Sequence, residues 1–233
     1  MSNDTVFVPA IEASVEERST FLRRVATWTA GGLLLTALVS VASVLFVVPL
    51  VFQGGKWAVL GVVYGSFLLS QTVARKMVYG PAKAGGFLLG TSLQGIALGF
   101  LLTITLAIGK VADGLNVIGY ALLLTLLASL AMLAYVSIEK RQFSLLRAGL
   151  SMLFIPMLAL MGLQLVFPIG GTAGIVISAV FLAVSVGAML WKLNFVVHEM
   201  PVSMHVEGGY ELTLGVVVLF WNLLTLLNRL RRR

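Results

Sequence analysis

Seven long apolar windows, none of which holds an aspartate or glutamate, dominate this chain. They fall within Val25–Phe52, Trp57–Val73, Gly85–Gly109, Val117–Ile138, Leu145–Phe167, Ala173–Trp191 and Leu212–Leu227. Windows of this length match the roughly 20 residues that carry a helix across about 30 Å of hydrocarbon. Inside lipid each backbone N–H and C=O needs an internal partner, and a helix supplies it within its own segment. The spacing therefore predicts an all-α integral membrane protein, a seven-transmembrane-helix bundle joined by short connections.

Composition agrees. With 59% hydrophobic and 11% charged residues and a mean hydropathy of +1.04, lipid and not water is the expected solvent and the bilayer the first partner. The net charge of +7 does not point to nucleic acid, because lysines and arginines stand singly or in threes at segment ends. There is no cysteine, hence no disulfide, thiolate nucleophile or Cys-ligated metal. Residues 1–24 read as a cytoplasmic tail and not a secretory signal, since acids precede the first arginines and the following apolar run is too long. Within the tail, Ser14 and Glu17 have capping-box spacing and predict a helix start. Residues 25–230 form the transmembrane domain and 231–233 a basic tail.

Basic residues set the orientation. Ten of them (Arg18, Arg23, Arg24, Arg75, Lys76, Lys83, Lys140, Arg141, Arg147, Lys192) fall at cytoplasmic ends if the N-terminus is inside, against Lys56 and Lys110 opposite. The discordant cations are Arg229 and the three terminal arginines, which a seventh crossing leaves outside. The last window has only 16 apolar residues, about 24 Å of helix, so a re-entrant segment competes with the preferred crossing whose arginines snorkel outward.

Small residues mark the expected close packing, because helices in lipid associate through backbone approach. The third window carries Gly86 and Gly90, then Gly95 and Gly99, on opposite faces, so it is expected to pack on two sides. Gly61 and Gly65, extended by Ser66 and Ser70, predict a contact of the second. Pro156 predicts a kink in the fifth.

Chemistry-bearing residues concentrate near the end. Lys192 is either a snorkelling anchor or a cation paired with an acid such as Glu199 or Glu211. The stretch Lys192–Gly209, with His198, Glu199, His205 and Glu207, reads as a solvated loop; its histidines are seven apart with Pro201 between, unlike a zinc helix. Asn222, and likewise Gln94 and Gln71, predict interhelical hydrogen bonds, with lining of an ion pathway the second reading of Asn222. No nucleophile with its base lies in the apolar windows, so no enzyme and no cofactor are expected.

Gly90-Thr-Ser-Leu-Gln-Gly95-Ile-Ala-Leu-Gly99, the basic junction Lys140-Arg141-Gln142-Phe143-Ser144 and the ending Phe220-Trp221-Asn222-Leu223 together resemble the Bax inhibitor-1 family, in order and spacing from about residue 20 to residue 230. The resemblance implies a central last helix wrapped by the other six, and a pH-sensitive calcium leak governed by two aspartates on the last two helices. Here Lys192 stands in the first aspartate's place and Leu219 in the second's, while Arg75 matches the basic residue that pairs with them. With that carboxylate pair gone, the expected function is a non-enzymatic regulatory or interaction protein of a bacterial inner membrane, its partner a membrane protein such as a membrane-anchored protease. The alternative is a pH-sensitive ion leak, of calcium as in the family or of a different ion through a gate rebuilt around Arg75, Lys192 and Glu211.

Overall fold

The computed structural model describes residues 9–108, 110–138 and 170–232. They form six helices long and apolar enough to cross a membrane: α1 Val15–Phe52, α2 Gly55–Val78, α3 Lys83–Ala107, α4 Val111–Ile138, α5 Gly171–Glu199 and α6 His205–Arg231. No strand occurs among the described residues, only one isolated bridge between Pro9 and Pro201. The expected span Leu145–Phe167, its Pro156 kink and the Lys140–Ser144 junction lie outside the described residues.

The capping box at Ser14 forms: Ser14 Oγ accepts from Glu17 N (3.3 Å) and Glu17 Oε2 accepts from Ser14 N (3.1 Å). α1 thus begins inside the expected tail and buries Phe21 and Val25 before it reaches its long apolar run. Three helices carry a π turn, at Ser43–Val47, Ser70–Ala74 and Phe195–Glu199. The first sits just before Pro49, whose missing N–H leaves a carbonyl of the preceding turn without its usual donor.

Among the described helices, two share the centre. In α3 and α6 56% of the apolar window is buried, against 17–22% in the other four, so the last helix is central together with the third. Small residues explain α3. A Cβ on Gly86 would meet Val78 and Met77 of α2, one on Gly90 would fall on the Tyr210 hydroxyl of α6, and those on Gly95 and Gly99 would meet Thr36, Val39, Ser40 and Ser43 of α1. Backbone approach is close enough for Thr36 Oγ1 to donate to Thr91 O (3.2 Å) and Ser43 Oγ to Ile96 O (3.2 Å). The expectation for α2 needs correction: Gly61 and Gly65 have nothing within 4 Å of a built Cβ among the described residues. The serine extension of that pair holds: Ser66 and Ser70, one and two turns beyond Val63, form with it the inward face of α2, while Gly61 looks outward.

The last helix is the largest correction. It starts at His205, not Leu212, and its 27 residues span about 40 Å. Arg231 Nη2 lies 3.8 Å from Asp113 Oδ2 and 3.3 Å from Lys110 O, at the far end of the bundle, so α6 runs its whole length and is not re-entrant. The expected eighteen-residue loop shrinks to the residues between Glu199 and His205, because α5 continues through its π turn and Gly208 and Gly209 are helical. Those glycines permit a tight crossing: a Cβ at Gly209 would strike Trp28, and one at Gly208 would press on Val25, Met200 and Val196. The lipid-facing surface is apolar, as on α4 where Leu122, Leu123, Leu126, Leu127 and Leu130 are each about half exposed.

Candidate charge cluster at the head of the last helix

Extending α6 back to His205 carries two acids into the bundle. Glu207 and Glu211 are four residues apart, hence on one helix face, and are 1% and 3% exposed. The absence of acids from the apolar windows therefore does not keep carboxylates out of the bundle.

Each buried acid meets a cation from another helix. Glu211 Oε1 lies 2.8 Å from Arg75 Nη2, and Glu211 Oε2 lies 2.9 Å from Lys192 Nζ, so α2, α5 and α6 are tied through one carboxylate. The Tyr79 hydroxyl donates to Glu211 Oε1 (3.3 Å), and Lys192 Nζ also donates to Glu211 O (3.4 Å). Burial first, and the Glu211 charge second, push the Tyr79 phenol above its ordinary range, so it remains a donor. Closer to the N-terminus of α6, Lys83 Nζ lies 2.6 Å from Glu207 Oε1, while Glu207 Oε2 has no hydrogen-bond partner among the described residues.

Local backbone aims these groups. The π turn Ser70–Ala74 ends at Arg75, whose N–H bonds back to Ser70 O. Ser70 O also accepts from the Tyr210 hydroxyl (2.7 Å), and Ser70 Oγ accepts from Gln94 Nε2 (3.1 Å). The wide turn thus hands one carbonyl to the central helix and turns Arg75 toward Glu211, a use typical of π turns at functional sites. Lys192 turns inward and is 17% exposed, so it is the paired cation and not the snorkelling anchor.

Of the residues singled out in the sequence, Arg75, Lys192 and Glu211 meet and two others do not. Leu219 lies two turns further along α6, fully buried among Met132, Val136, Met189, Leu193, Val197 and Val216. Asn222 Nδ2 donates to Val218 O of its own helix (3.0 Å), which corrects the expected interhelical bond. That role belongs to Asn228, whose Nδ2 donates to Thr105 Oγ1 of α3 (2.7 Å), and to Gln94. The two histidines are not in a solvated loop: His198 is 5% exposed with Nδ1 3.3 Å from Asn194 O, and His205 opens α6. Glu207 was expected as a loop carboxylate and Lys83 only as an orientation signal, while Tyr79 and Tyr210 were not singled out. The four-residue spacing of Glu207 and Glu211 was the available signal, masked by the Gly208–Gly209 pair that reads as a loop.

The chain is 33% identical over 133 residues to the Golgi anti-apoptotic protein of Vaccinia virus strain Lister, and equally to that of strain LC16m0. The match covers 56% of this chain and 55% of the viral protein, so it spans about half the length of these curated relatives. Residues 18–232, which contain every member of the charge cluster, match the family described as Inhibitor of apoptosis-promoting Bax1, and the chain therefore belongs to the Bax inhibitor-1 family.

Proposed function

We propose that this chain is a gated ion-leak protein, without enzymatic activity, whose gate is closed by the Arg75–Glu211–Lys192 cluster. The observation that carries the reading is a carboxylate on a central helix, 3% exposed, held by cations of two neighbouring helices. Intramembrane ionisable groups are costly, and where they persist they commonly mark an ion path or its gate. With two cations on one anion the cluster carries a net positive charge, which repels calcium while the latch is shut. The excess of basic residues at one set of helix ends supports a cytoplasmic N-terminus, and a bacterial inner membrane is the proposed location.

The test is flux of calcium, protons and chloride into liposomes holding the purified chain, between about pH 5 and 8, a range spanning ordinary histidine titration. Glu211→Gln unties three helices at once and should raise the leak at least several-fold over wild type. A Lys192→Asp, Leu219→Asp double variant, which restores the acids implied by the family resemblance, should favour calcium. Silence of all three proteins in correctly folded form would sink the gate. The chain would then be read as an interaction protein acting on a membrane partner such as a membrane-anchored protease.

A further inference from the structure

We propose that the groove between the ends of α2 and α5 binds the phosphate headgroup of an anionic lipid. The groove holds about 590 Å³; α2 contributes Gln71, Thr72, Arg75 and Lys76, with Tyr79 just beyond, and α5 contributes Trp191 and Phe195. Its charge is unbalanced. Arg75 shares the single carboxylate of Glu211 with Lys192, which does not line the groove, and Lys76 on the groove wall has no ion-pair partner among the described residues. The groove is lined by two cations, Arg75 and Lys76, and by no carboxylate among the described residues, and beside a low-dielectric interior an incoming anion is favoured there.

Geometry selects phosphate chemistry. The Arg75 side chain is 45% exposed, so its fork has an open side after one nitrogen has engaged Glu211, and guanidinium forks match phosphate oxygens. Lys76 lies beside it as a point charge, and the Gln71 amide offers further donors. Tyr79 supports the guanidinium from below, its ring centroid 5.7 Å away.

The remaining wall selects the source. Trp191 and Phe195 stack at 5.9 Å and 26°, an apolar surface suited to the glycerol and upper acyl chain and of the aromatic type found at membrane interfaces. On α2, the apolar side chains of Leu69 and Val73 are 47% and 45% exposed. A ligand arriving sideways from the bilayer meets the apolar wall first and the cations at the headgroup level. Free phosphate would gain nothing from that wall.

The experiment is native mass spectrometry of the full chain extracted from nanodiscs of phosphatidylcholine mixed with phosphatidylglycerol. It reads lipid retention and needs no ion flux, so its failure is separable from failure of the gate. Wild type should retain phosphatidylglycerol in preference to phosphatidylcholine. Lys76→Glu, a substitution outside the latch, should reduce that retention by at least about five-fold, the scale of one basic contact at an anionic surface. Lys76→Gln should fall between the two, and Lys56→Glu at the other end of α2 should match wild type. Absence of a preference for phosphatidylglycerol, or equal retention by Lys76→Glu, would overturn the site. Displacement of the retained lipid by inorganic phosphate would overturn the lipid as its occupant.

Discussion

At the scale of single residues, Glu211 decides most. A buried carboxylate between two cations stabilises only while both sides of the pair are present, and removing one partner of a buried pair costs about 3–5 kcal/mol. Glu211→Gln is therefore expected to lower the thermal midpoint in detergent clearly, and Lys192→Met in the same chain to recover part of the loss, as a double-mutant cycle by thermal unfolding would show. Arg75→Gln should cost less than Lys192→Gln, because the half-exposed guanidinium is already partly solvated. Tyr79→Phe removes one donor to the carboxylate and should cost about 1 kcal/mol. Because the folded protein raises the phenol's affinity for its proton, the Tyr79 contribution is complete below about pH 10 and is lost as pH rises through the folded value; a Tyr79→Phe protein should lack that alkaline loss.

For whole helices, the contrast between α3 and α2 shows that a glycine has meaning only where another backbone or side chain arrives. Gly90→Ala would set a methyl group on the Tyr210 hydroxyl and disturb its bonds to Ser70, so a loss of about 1–3 kcal/mol is expected. Gly61→Ala meets nothing within 4 Å among the described residues and should be neutral or stabilising by up to about 1 kcal/mol through helix propensity. Thermal unfolding of the two variants side by side tests the packing directly; equal destabilisation would contradict it. Both glycines sit in small-xxx-small pairs, so periodicity alone does not separate them. Spacing told where close approach is allowed, and the third dimension told which allowance is used.

For the molecule as a whole, the course of α6 sets the topology. The chain has no cysteine, so single Ser203→Cys and Arg232→Cys variants can be labelled with an impermeant thiol reagent in intact cells and inverted vesicles. The expectation is opposite sidedness, with Ser203 on the side that carries the N-terminus; labelling of both from one side would contradict a through-going last helix. The sequence by itself determined the solvent, the helical class, the two-sided packing of α3 and the family, because hydrocarbon length, backbone hydrogen bonding and small-residue spacing are local properties of the chain. It also brought Arg75, Lys192 and Glu211 forward as candidates. Only the tertiary structure decided that Gly208 and Gly209 are helical, since their close fit against Val25 and Trp28 offsets the helix penalty that glycine carries in isolation. That one outcome moved Glu207 and Glu211 from an expected loop and its edge into the bundle, where cations on separate helices, far apart in sequence, compensate their burial.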